Sequence, residues 1–211
     1  MPDNRLSSGH MKNFNDSVAK EYEQDIRKKI LGYDVMQNLI TILINHELPL
    51  NSSILVVGCG TGEEIVRLEK LSSSYQIIGI DPSQDMLSLS RNKVKSELVC
   101  TSLENYERSE KFNCVLSILV SHLIKKGDPK NNFFSCISNK LKKGGLFIGV
   151  DYMDLGLNKF QNKIFQEKID TTFHPITESV LESVLNQNGF DKVIYFFNSL
   201  GFKGYFTKKN E

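Results

Sequence analysis

The run Ile54-Leu55-Val56-Val57-Gly58-Cys59-Gly60-Thr61-Gly62-Glu63-Glu64 constrains what this chain can fold into more than any other stretch. It starts as an apolar, largely β-branched segment of strand length and passes through glycines at 58, 60 and 62. A helix-like pattern follows at once, from Glu63 to Leu68. A buried strand feeding a glycine turn and then a helix is the first unit of an α/β sheet that binds a nucleotide. Glycine takes backbone angles closed to other residues, and its missing side chain lets a ligand lie against the main chain. The free N–H groups of the following helix open at the same end.

The spacing separates two kinds of ligand. A dinucleotide fingerprint, G-x-G-x-x-G, needs its last glycine one position later than Gly62, which weighs against a nicotinamide oxidoreductase. A second buried strand, Tyr75-Gln76-Ile77-Ile78-Gly79-Ile80-Asp81, ends in an acid about twenty residues past the loop, where a carboxylate suits a ribose diol in either case. Gly58-x-Gly60-x-Gly62, then Gly79-Ile80-Asp81-Pro82-Ser83 and Asp85-Met86-Leu87, resembles the class I S-adenosylmethionine-dependent methyltransferases. Leu141-Lys142-Lys143-Gly144-Gly145-Leu146-Phe147 is similar to a late signature of that family. The competing reading is a tight strand-to-helix turn that binds nothing; the triplet, the acid and the later strands together weigh against it.

What the resemblance implies can be set out residue by residue. Gly58, Cys59, Gly60 and Gly62 carry S-adenosyl-L-methionine on backbone atoms, Asp81 accepts from the ribose hydroxyls, and Pro82 and Met86 border them. Ser102 and Leu103 meet the adenine, and Ser117 borders the methionine moiety. Three positions depart from the family pattern: Val56, Ser102 and Asn113 stand where acids are frequent. Further upstream, Phe14-Asn15-Asp16-Ser17-Val18-Ala19-Lys20-Glu21-Tyr22, with Ile26-Arg27 and Ile30-Leu31-Gly32-Tyr33, resembles a particular branch. It contains carboxy-S-adenosyl-methionine synthase, a tRNA-modification enzyme, and related small-molecule methyltransferases. By that resemblance Tyr33 touches the cofactor; the alternative is that Tyr22 and Tyr33 are helix aromatics packed on the core.

Taken in order, residues 1–13 read as disordered and 14–48 as a helical cap, a lid across the ligand opening. Residues 49–211 are the core, and 153–175 shape the acceptor pocket. Lys125 to Lys130 reads as a solvated charged loop, followed by a helix through Phe133, Phe134, Ile137 and Leu141. Thr177 caps a helix over Ile176–Asn188, and Phe190–Phe197 and Phe202–Thr207 form a terminal strand pair. The fold class is therefore α/β: a Rossmann-like, mostly parallel seven-stranded sheet, ordered 3-2-1-4-5-7-6 with an antiparallel last strand by the resemblance, and helices on both faces.

Charge and cysteine usage narrow the partners. Lys+Arg 26 against Asp+Glu 25 gives no basic excess for a nucleic-acid backbone. Cys59, Cys100, Cys114 and Cys136 lack ligand spacing, with no metal implied; three of them lie in or beside apolar runs and read as small core residues of a reducing cytoplasm. No apolar run reaches membrane-spanning length. The expected activity is methyl transfer to an oxygen or nitrogen of a small-molecule acceptor, and a homodimer stays open.

His122, just past the fourth strand, is the best-placed general base, ahead of His174, Tyr22 and Asp151-Tyr152; its competing role is to satisfy a structural hydrogen bond. A carboxy-S-adenosyl-methionine synthase of this kind is expected to hold its substrate carboxylates with an arginine before the last helix, yet the chain has none after Arg108. A non-catalytic methyltransferase-fold subunit is the remaining alternative.

Overall fold

The computed structural model of the chain describes residues 25–155 and 172–210. The expectations for residues 1–13, for the helix around Val18 and Tyr22, and for most of 153–175 fall outside the described residues.

The strands are β1 (Ser53–Val57), β2 (Gln76–Asp81), β3 (Glu97–Cys100), β4 (Phe112–Ile118), β5 (Leu141–Tyr152), β6 (Ile194–Ser199) and β7 (Phe202–Lys208). They form one sheet in the order β3-β2-β1-β4-β5-β7-β6. β1 to β5 are parallel, and β7 runs antiparallel to both β5 and β6, in the order the resemblance implied. Helices among the described residues include α1 (Tyr33–Glu47), α2 (Glu63–Leu71), α3 (Gln84–Arg91), α4 (Asp128–Lys140) and α5 (Glu178–Gln187).

β1 shows why the central strands read as continuous apolar runs. Ile54 and Val56 face one core with Met36, Ile40 and Ile44 of α1 and Ile65 and Leu68 of α2. Leu55 and Val57 face the other, with Phe133, Phe134 and Ile137 of α4 and Leu181 and Leu185 of α5. Alternate residues of a strand point to opposite faces, so a sheet covered on both sides needs apolar residues throughout. Helix ends follow their cap chemistry: Ser83 Oγ accepts from Met86 N (3.3 Å) at α3, and Thr177 Oγ1 accepts from Val180 N (3.3 Å) at α5.

Three boundaries differ from the sequence reading. The supposed loop Lys125–Lys130 already contains the start of α4, with Pro129 in the first turn, where its missing N–H costs nothing. Lys130 is 3 % exposed, and its ammonium donates to the Ser121 and His174 carbonyls. The fourth strand, whose apolar run extends from Phe112 to Val120 in the sequence, stops at Ile118, because Leu119 turns to φ +62 while its N–H bonds Val150 O (2.6 Å). At the last strand pair, Phe190 makes only an isolated bridge to Lys209, and regular pairing begins at Ile194.

Candidate active site

The carboxyl ends of the parallel strands share one edge, and the glycine loop crosses it after β1. Gly60 has φ +50, and a Cβ there would meet nothing nearer than Met86 Cε at 3.5 Å. Its backbone is thus both left-handed and open to an approaching group. Gly62 caps α2 at φ +84 for a second reason: a Cβ would lie 2.4 Å from Ser90 Oγ.

Asp81, the last residue of β2, holds this loop. Its Oδ2 accepts from Gly60 N (2.9 Å) and its Oδ1 from Ser83 N (2.8 Å). The carboxyl is 8 % exposed; burial raises its pKa, and the two amide bonds oppose that shift without cancelling it. Beside it Cys59 is buried, and burial together with the Asp81 charge pushes its thiol far up, out of reach of ionisation.

A small cavity of about 30 Å³, partly open to solvent, lies against the loop. Its walls are Ile26 and Tyr33, the loop itself from Gly58 to Thr61, Glu63 and Glu64 of α2, and Ile118 and Leu119 at the end of β4. Tyr33 OH accepts from Gln37 Nε2 (3.0 Å), and the same nitrogen donates to Glu64 Oε1 (2.6 Å). Arg27 lies 5.0 Å from the centre of the Tyr33 ring and reaches Glu63 Oε1 at 3.1 Å, where Arg67 Nε also donates (2.9 Å). The chain before β1 is therefore laced to the first turn of α2 beside the cavity. A second hollow, lined by Asn113, Lys142, Lys143 and Lys208 among others, lies at the opposite, amino-terminal edge of β4 and β5.

Of the residues singled out from sequence, Tyr33, Gly58, Cys59 and Gly60 line the cavity, and Gly62 and Asp81 brace it from behind. Pro82, next to Asp81 in the chain, is exposed, and Met86, in the first turn of α3, is 5 % exposed; Ser102 and Leu103 follow β3 at the neighbouring strand end. Ser117 is 1 % exposed and shares the α4 face with Val115, its Oγ without a hydrogen-bond partner among the described residues. Ile118 and Leu119 line the cavity in its place.

His122 is 3 % exposed, with the ring of Phe173 at 4.4 Å and that of Phe202 at 6.3 Å. Its Nδ1 lies 3.1 Å from Asp151 Oδ1 and 3.2 Å from Tyr152 N. One nitrogen cannot serve both, and a proton between imidazole and carboxylate removes the repulsion of two lone pairs, so we assign Nδ1–H to Asp151. Asp151 also accepts from His122 N (3.1 Å) and from Tyr205 OH (2.9 Å).

The family departures at Val56 and Asn113 acquire reasons. Val56 is buried in the core beneath α1. Asn113 Oδ1 accepts from Ser53 N (3.0 Å), Ser53 Oγ (3.0 Å) and Lys142 Nζ (2.9 Å), tying three strand beginnings at the edge away from the cavity. Sequence reasoning missed Gln37, Glu64 and Leu119. Glu64 passes as an ordinary first-turn acid, and nothing local marks Leu119 for φ +62.

A methyltransferase domain model matches residues 54–145. The chain is 24% identical over 138 residues to a carboxy-S-adenosyl-L-methionine synthase of Campylobacter fetus subsp. fetus, a match covering 64% of this chain and 59% of that protein. The chain thus spans under two thirds of that relative. A synthase of the same name from Campylobacter lari is 22% identical, with 93% of this chain and 94% of that protein covered. Among solved structures, an S-adenosylmethionine-dependent methyltransferase from Clostridium acetobutylicum shares the fold with a TM-score of 0.72 at 18% identity, over 93% of this chain and 99% of that one. Among the described residues no helix is long and apolar enough to cross a membrane. The glycine loop and Asp81 lie inside the matched stretch, so residues 54–145 are a methyltransferase domain, in a chain whose fold is similar to that of S-adenosylmethionine-dependent methyltransferases.

Proposed function

We propose that the chain transfers the methyl group of S-adenosylmethionine to an oxygen or nitrogen of a small-molecule acceptor. The observation carrying this reading is the cavity against the glycine loop, with backbone open at Gly60 and the Asp81 carboxylate fixed behind it. These residues fit the cofactor: Gly58, Cys59 and Gly60 offer main chain, Asp81 keeps lone pairs for sugar hydroxyls, and Ser102 and Leu103 lie one strand along for the adenine. Ile26 and Tyr33, from the cap, form part of the cavity wall.

The cofactor supplies a methyl already activated on a sulfonium. What remains for the protein is to hold the acceptor atom in line, so that its lone pair forms the new bond to carbon as the C–S bond breaks and that pair stays on sulfur. The acceptor's proton leaves to water or to a group of the acceptor pocket, which we place in 153–175. His122 we assign to positioning: its Nδ1 is committed to Asp151, and two phenyl rings stand beside it.

The likeness to the Campylobacter carboxy-S-adenosyl-L-methionine synthases supports a second reading, synthesis of a carboxylated S-adenosylmethionine. It requires a cation for the substrate carboxylates, and the arginine expected before the last helix is missing. One incubation separates the two. Cofactor with a labelled methyl is offered to panels of phenols, amines and carboxylic acids, and all products are read by mass spectrometry. Label in an acceptor with matching S-adenosylhomocysteine is expected; a carboxylated sulfonium in place of the thioether overturns the first reading in favour of the second.

A further inference from the structure

The two acids in the cavity wall are not equivalent. Glu63 is matched by two guanidinium groups, Arg27 Nη2 at 3.1 Å and Arg67 Nε at 2.9 Å. Glu64 receives instead a neutral amide, from Gln37, which is itself 1 % exposed and locked by its second bond to Tyr33 OH. The carboxylate also fixes which way Gln37 points, since the flipped amide would set two oxygens against each other. Among the described residues that line the cavity, none has a cationic side chain. β1 brings no acid of its own, because Val56 is buried in the core. The nearby Arg67 charge acts on Glu64, but its guanidinium donates to Glu63, Asn38 and Asp34. An oriented carboxylate bonded only by a neutral amide, in the wall of a ligand cavity, is complementary to a cation arriving with the ligand.

Two ends of the site can be told apart. Asp81 and Ser102 sit at the ends of β2 and β3, whereas Glu64, Tyr33 and Leu119 gather around β1 and β4. A nucleoside held by its sugar at Asp81 therefore directs its other end toward Glu64. Building on the methyl-donor reading above, we propose that Glu64 recognises the α-ammonium of the cofactor's amino-acid end, with Gln37 as its positioning residue. Burial raises the Glu64 pKa, in keeping with a site that gains when a cation enters.

The test uses calorimetry on the full chain with three probes: S-adenosylmethionine, S-adenosylhomocysteine, and 5′-methylthioadenosine, which keeps the nucleoside thioether and lacks the amino acid. Glu64→Gln preserves shape and can still accept from Gln37. It should weaken both amino-acid-bearing probes by about tenfold to a hundredfold and leave methylthioadenosine within about twofold. Glu64→Asp, which keeps the charge on a shorter arm, should fall between. Equal binding of S-adenosylhomocysteine to wild type and Glu64→Gln overturns the proposal, as does equal loss for all three probes. Loss confined to the sulfonium compound would assign Glu64 to the sulfur and also overturn it. If wild type binds none of the probes, the methyl-donor reading itself falls.

Discussion

Asp81 has two tasks within one carboxylate. It fixes the loop by accepting from Gly60 and Ser83, and by the assignment above it offers its remaining lone pairs to sugar hydroxyls. Asp81→Ala removes both, so affinity for S-adenosylhomocysteine should fall by about a hundredfold or more in calorimetry. A loss of only a few-fold would show that the sugar is held elsewhere. Glu64 makes the opposite kind of prediction. Its pKa is raised by burial, so the folded state disfavours its charged form. Glu64→Gln should therefore raise the stability of the ligand-free protein by about 0.5–1 kcal/mol in urea unfolding, while ligand affinity drops. Stability and affinity moving in opposite directions marks a residue kept for binding; a loss of both would mark a residue kept for packing. Neither property is legible in the run Gly62-Glu63-Glu64, where both acids look alike. They separate only when Arg27 and Gln37, more than twenty-five positions upstream, come alongside.

At the scale of elements, α4 shows where linear reading succeeds and where it fails. The strands around it were legible because β1, β4 and β5 are covered on both faces, so burial wrote long apolar runs into them. The start of α4 was hidden by composition: Lys125 to Lys130 looks like a solvated loop, although Asp128 and Pro129 are suited to a first helical turn. Lys130 then acts across elements, joining α4 to the turn at Ser121 and to His174. Burial lowers its pKa to about 8 from 10.5; Asp151 partly opposes the shift and Lys126 adds to it. Below pH 8 both folded and unfolded chains carry the proton, and the folded state bears the whole burial cost. Between about 8 and 10.5 the unfolded chain binds more protons, so stability rises with pH. Denaturant unfolding of wild type and Lys130→Met at pH 7.5 and pH 10 should show the difference moving in the wild type's favour by about 1–3 kcal/mol. A constant difference would mean that the ammonium is better solvated than its surroundings indicate.

On the scale of the whole molecule, the cavity is assembled from three distant parts of the chain. Ile26 and Tyr33 come from before the sheet, Gly58 to Glu64 from the first crossover, and Ile118 and Leu119 from the strand on the other side of β1. The glycine loop and Asp81 were readable because they form one local unit; the wall was not, because it exists only once α1 lies on the sheet. A ligand that binds only this assembled form stabilises every part that contributes, by about 2.7 kcal/mol at a hundredfold excess over its dissociation constant. Amide hydrogen exchange can then map the site. S-adenosylhomocysteine should slow exchange in three separate stretches, residues 26–40, 58–66 and 118–122, and leave 142–145 at the opposite edge unchanged. Slowing limited to 58–66 would reduce the site to its loop and remove the cap from it. Protection reaching the first stretch as strongly as the second would make the residues before β1 part of the binding site, closing on the nucleoside from the side the sheet leaves open.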